Sequence, residues 1–189
     1  MPLVRGRYPV TNPEWLLDGK PSGVLRANLD RREVEGNLAA LTTQVMLSAA
    51  IPLEAGDVVT NLTFVSGATE ADTPTNWWFA LYDDSSTPAL IAQSADQTTT
   101  AWAAATAKTL ALSAAYLVPR SGVYYAAIMV KATAVPTLLG TAVNAGASAA
   151  IITGQKVLAR TSGSALTTTA PSTIATPTTV GNVPLVIAS

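Results

Sequence analysis

The chain has 189 residues, 49% of them apolar, with no cysteine, no histidine and a formal net charge of −1. That length suits one domain with appendages or two small ones, and the apolar share supports a core without covalent staples. The missing cysteines exclude disulfides and thiolate metal sites; the missing histidines remove the commonest general base and the commonest transition-metal ligand.

Residues 1–41 form a charged zone, "MPLVRGRYPVTNPEWLLDGKPSGVLRANLDRREVEGNLAAL", with prolines at 2, 9, 13 and 21 and glycines at 6, 19, 23 and 36. No apolar period of 2 or 3.6 persists, so an extended arm is expected. Asn12 and Pro13 suit the cap and first position of one helical turn. Trp15, Leu16 and Leu17 are apolar anchors of a kind that disordered tails lack. With Arg26, Arg31 and Arg32 they are the arm's candidate interface residues. MPLVRGRYPV has no apolar signal-peptide core, so no secretory signal is expected.

Residues 42–132 read as a run of short strands. In order these are "TTQVMLSAAIPL", "DVVTNLTFVSG", "NWWFALYDD", "PALIAQSA", "KTLALSAAYLV" and "GVYYAAIMVKA". Turn residues such as "EAGD", "DDSSTP" and "PRSG" separate them. Leu62 and Phe64 alternate with Asn61, Thr63 and Val65, and Leu110 and Leu112 with Thr109, Ala111 and Ser113. The expectation is an all-β antiparallel sandwich spanning 42–189. "TTTAWAAATA", residues 98–107, fits a loop or a bent edge segment.

Residues 133–189 carry only two charges, Lys156 and Arg160. "AAIITGQKVLAR" and "GNVPLVIAS" are expected strands. Between them "TSGSALTTTAPSTIATPTT", residues 161–179, has the Thr/Ala/Pro-rich composition of a long loop or linker. The apolar "VPLVIAS" is expected to return to the sheet.

Neighbours on a strand point to opposite faces. Trp77, Phe79 and Leu81 therefore share one face of "NWWFALY", and Trp78, Ala80 and Tyr82 the other. "SGVYYAAIMV" likewise sets Val123, Tyr125, Ala127 and Met129 against Tyr124, Ala126, Ile128 and Val130. A sheet with one wet face would alternate apolar and polar residues, and these strands do not. Both faces are covered. Trp77 is expected in the sandwich core. Trp78, Tyr82 and Tyr124 are placed on the second face, under the arm, the C-terminal segment or another copy of the chain. The alternative is that these aromatics form a sugar-stacking surface.

Charge is uneven along the chain. Residues 1–96 carry six Lys/Arg and twelve Asp/Glu, a balance of −6, and residues 97–189 carry five Lys/Arg and no acid, a balance of +5. No basic run of nucleic-acid type is present, and no apolar stretch approaches the roughly 20 residues of a membrane span, so neither nucleic acid nor membrane insertion is expected. Adjacent Asp83 and Asp84 diverge and suit a turn rather than an acid/base pair, as do Glu54 and Asp57 around Ala55-Gly56. There is no EF-hand pattern, Gly-rich phosphate loop or G-x-S-x-G. Asn61-Leu62-Thr63 matches a glycosylation pattern within strand sequence. No catalytic, cofactor-binding or metal-ligating residues are assigned.

"GRYPVTNPEWLLDG", "TPTNWWFALYD", "LIAQSADQTTTAWAAATAKTLALS" and "SGVYYAAIMVKATAVPTLLG" together resemble virion surface proteins of tailed bacteriophages that infect actinobacteria. Such proteins serve as capsid decoration, head-fibre or minor tail proteins. The resemblance spans roughly residues 5–140 and implies a jelly-roll β-sandwich that is oligomeric and non-enzymatic. It implies a homo-oligomer, a trimer foremost, with a major capsid or tail protein as partner. The chain would be made in the host cytoplasm and end on the virion surface. "SGVYYAAIMV" also looks like a late strand of carbohydrate-binding sandwich modules, which keeps a host-glycan ligand as the alternative. On this reading the first 35 or so residues are dispensable for folding and needed for attachment.

Overall fold

Apolar alternation becomes strand wherever turn residues close it off. In Val58–Val65, Leu62 and Phe64 are fully buried while Asn61, Thr63 and Val65 face outward. The computed structural model describes residues 26–189. Thirteen strands follow in chain order: β1 (Arg26–Ala27), β2 (Gly36–Asn37), β3 (Met46–Leu53), β4 (Val58–Val65), β5 (Asn76–Tyr82), β6 (Leu90–Gln93), β7 (Ala107–Leu117), β8 (Gly122–Lys131), β9 (Leu139–Ala142), β10 (Ala159–Ser162), β11 (Thr178–Thr179), β12 (Asn182–Pro184) and β13 (Val186–Ala188). The only α-helical segment among the described residues is one turn, Ala145–Ser148, capped by Asn144.

The protein is an antiparallel all-β sandwich. One sheet has the order β1-β13-β4-β7, the other β11-β10-β3-β8-β5-β6, and a small sheet β12-β9-β2 closes one end. The centre of the larger sheet is the β3-β8-β5 ladder, registered Ala49 to Ala126, Phe79 to Ile128 and Tyr82 to Tyr125. Between the two large sheets lie Phe64 and Leu62 from β4, Trp77, Phe79 and Leu81 from β5, and Ala126, Ile128 and Val130 from β8. Phe64 and Phe79 rings meet at 4.7 Å.

Two sequence expectations change. Residues 26–41, assigned to the arm, are woven into the sheets: β1 pairs with β13, β2 pairs with β9, and Leu38 and Leu41 are core residues. Their short elements carry no readable period because each contributes only two paired residues. The stretch "AAIITGQKVLAR" yields strand only from Ala159. The Gln155 side-chain oxygen accepts from the Ile151 and Ile152 amides and folds the preceding residues into a turn, leaving both isoleucines exposed. Residues 98–106 are a loop, and Trp102 within it is completely buried and stacks on Trp77 at 5.1 Å. The C-terminal segment does return: Val186–Ala188 pair with Leu62–Phe64. Trp15, Leu16 and Leu17, with the helical turn at Asn12, lie outside the described residues.

Two outcomes are expected from unfolding measurements. A chain starting at Arg26 should unfold cooperatively, whereas one starting at Leu38 loses β1 and β2 and should melt markedly lower. Trp77→Ala should cost about 3–5 kcal/mol in denaturant titration, the range for a buried aromatic; a loss under about 1 kcal/mol would contradict its core placement.

Candidate functional site

The pleat of β5 and β8 sends alternate side chains to two separate apolar clusters. Trp77, Phe79 and Leu81 enter the core between the large sheets, while Trp78, Ala80 and Tyr82 join Met46, Tyr125, Ala127 and Met129 on the outer face. All of these are buried. The indole N–H groups are satisfied on both sides: Trp77 Nε1 donates to the Thr100 carbonyl at 2.9 Å and Trp78 Nε1 to the Thr167 carbonyl at 2.7 Å.

The cover on the outer face is the Thr/Ala/Pro-rich segment. Leu166, Ala170 and Ile174 insert apolar side chains at every fourth position. Polar bonds clamp the backbone between them. Gln44 exchanges bonds with Leu166, its carbonyl accepting at 3.0 Å and its amide donating at 3.2 Å. Gln93 donates to the Thr168 carbonyl at 2.8 Å and accepts from the Ala170 amide at 2.6 Å. Tyr82 Oη donates to the Pro171 carbonyl at 2.8 Å, and Ile174 N donates to the Pro88 carbonyl at 2.9 Å. What composition presents as a linker is a lid fixed along its length.

Among the described residues, the candidate interface residues are not brought together. Trp78 and Tyr82 are sealed inside the chain by residues 166–174, a cover supplied by the C-terminal part of the chain itself. Tyr124 does not share their face. Register sets Leu81 opposite Ala126 and Tyr82 opposite Tyr125, so Tyr124 turns into the main core beside Tyr116 and Tyr125 takes the outer face. None of the three offers a ring to a sugar. Arg26 clamps to Asp57 at 2.7 Å and Glu54 at 2.6 Å, Arg32 pairs with Asp30 at 2.6 Å, and Arg31 is exposed in a single 3-10 turn. The Arg32 guanidinium draws the Asp30 carboxyl down to about 2. Asp83 accepts from the Ser85 amide and hydroxyl and the Ala89 amide, and these bonds outweigh burial to hold it below the usual carboxylate range.

One concave site stands out beside the sealed face. A cleft of about 310 Å³ is lined by Ser85, Ser86, Tyr125, Arg160 and the turn Gly154–Val157. Arg160 projects from β10 with its Cζ 3.9 Å from the centre of the Tyr125 ring. It is only 7% exposed, and its Nε and Nη2 are buried without a hydrogen-bond partner. Burial pulls its pKa below the ordinary arginine value. Lys156 lies at the rim, donating to the Asp84 and Ser85 carbonyls. No motif in the sequence marks either cation as part of a site. Their isolation in an acid-free half of the chain was the available signal.

Among the described residues, no group of three or more metal-ligating side chains occurs, and no helix is long and apolar enough to cross a membrane. The chain matches no model of a known protein family, and no curated protein matches it.

Trp78→Ala should destabilise the isolated chain by about 3–5 kcal/mol, since its cover is intramolecular. A variant of unchanged stability that dissociates instead would return Trp78 to an interface. Alkali supplies a second measurement. Burial raises the phenol of Tyr124 to about 12, and those of Tyr82 and Tyr125 also rise above the ordinary value. A raised folded pKa favours the neutral, folded form. The contribution is complete below the unfolded phenol value of about 10 and is lost as pH climbs through the folded values. The melting temperature should therefore fall above about pH 10, and Tyr82→Phe should soften that fall. Free tyrosinate forming at its ordinary pH in the folded chain would refute the burial.

Proposed function

We propose that this protein is a non-enzymatic structural component of a tailed-bacteriophage virion, decorating the capsid or projecting as a short fibre, and attached through the segment ahead of Arg26. The observation that carries the reading is the rooting of that segment. β1 is the outermost strand of its sheet, and Arg26 is clamped there to Asp57 and Glu54. Twenty-five residues bearing Trp15, Leu16 and Leu17 precede this anchor. Fully extended they reach at most about 85 Å, against a radius of gyration near 16 Å for a compact domain of this length. A segment so rooted can cross a neighbouring subunit.

The nested pairing of β3 with β8 and β4 with β7 supports the jelly-roll form that the resemblance implies. The proposed partners are further copies of the chain, a trimer foremost, and a major capsid or tail protein, on the virion surface. A second reading, a tail-tip module that binds host glycan, now rests on the Arg160 cleft rather than on aromatic stacking.

Locating the chain in purified virions tests the proposal. It should co-purify at a fixed copy number, and a version lacking residues 1–25 should fold but fail to incorporate. Incorporation at normal occupancy without those residues would remove the anchor role, and absence from the particle would overturn the reading.

A further inference from the structure

We propose that the cleft between Ser85–Ser86 and the Gly154–Arg160 segment binds a carboxylate-bearing ligand of monosaccharide size, with the Arg160 guanidinium as its charged anchor. Removing a guanidinium from water without satisfying its N–H groups is costly. The Tyr125 ring, 3.9 Å away, stabilises the charge from one face but accepts none of the in-plane bonds. Nε and Nη2 are left without partners.

Among the described residues, no acid beside the cleft is free to serve. Residues 97–189 contain no Asp or Glu. Of the two acids beside the cleft, Asp83 is occupied by Ser85 and Ala89, and Asp84 by Arg120 at 2.6 Å. The remaining lining adds donors. Lys156 brings a second positive charge, and Ser86 an exposed hydroxyl. Gln155, whose oxygen is engaged by two backbone amides, has its NH₂ group as its remaining polar function. Such a lining selects an anion.

Shape narrows the class. The N–H donors of a guanidinium lie in its own plane, where a planar carboxylate pairs by two parallel bonds. A volume of about 310 Å³ lies at the small end of ligand sites, enough for one sugar ring. Nε and Nη2 are shut from solvent in the ligand-free chain, so pairing with them requires a local rearrangement of the cleft wall. The inference does not rest on the virion reading, because it concerns the purified chain alone.

The test is titration of the full chain with glucuronate, glucose and phosphate at constant ionic strength, read by melting temperature and by the Arg160 Nε–H resonance. Glucuronate should raise the melting temperature and move that resonance, glucose should do neither, and phosphate should act more weakly. Arg160→Met should bind glucuronate at least tenfold more weakly, yet melt no lower than the parent without ligand. An unmoved Nε–H resonance, equal glucuronate affinity in the variant, or phosphate binding the tighter would overturn the proposal. If the variant fails to fold, the resonance in the parent chain decides alone.

Discussion

Everything else in this structure follows from one constraint: the β5–β8 pair buries both of its faces. A pleated strand can hide alternate side chains in one core at the expense of wetting the rest. Here Trp77 and Trp78 are adjacent and both fully buried. The sheet β1-β13-β4-β7 covers the first face. The second needs a separate cover, and the chain provides it from residues 166–174. Two covers on one ladder make a three-layer arrangement at its centre.

The lid is built unlike the sheets. It has almost no ladder of its own, so its backbone groups are satisfied one by one, by Gln44, Gln93, Trp78, Tyr82 and Pro88. Buried amphipathic aromatics suit this role, since each supplies apolar area and one polar tip that fixes a carbonyl. Arg160 sits where the sealed face gives way to the cleft. There the same logic leaves donors unanswered, and Lys156 and Arg160, two of the five cations in a chain half without acids, line the cleft.

Much of this was legible in the sequence and some was not. The six central strands and the two-sided burial of β5 follow from alternation and turn residues, which act locally. Tyr124 was assigned to the wrong cluster because a face is defined only once register is set. Register between β5 and β8 is a long-range property that neither strand encodes alone. The lid reads in sequence as a long loop or linker, and its covering role is hidden because threonine-rich composition masks Leu166, Ala170 and Ile174. Their four-residue spacing in an uncharged segment was the trace of burial. Trp102 was overlooked in an alanine-rich loop, although a lone tryptophan there is more readily explained by stacking than by solvent. Residues 26–41 escaped notice since two-residue strands have no period.

The most direct test of the sealed second face is amide hydrogen exchange across residues 163–176 in the folded chain. The account predicts strong protection at Leu166, Ala170 and Ile174, whose amides donate to Gln44, Gln93 and Pro88. That protection should match the β8 amides in a segment with scarcely any regular structure. Exchange at the rate of a free peptide throughout the segment would contradict it, and would leave Trp78 and Tyr125 without the cover on which the fold depends.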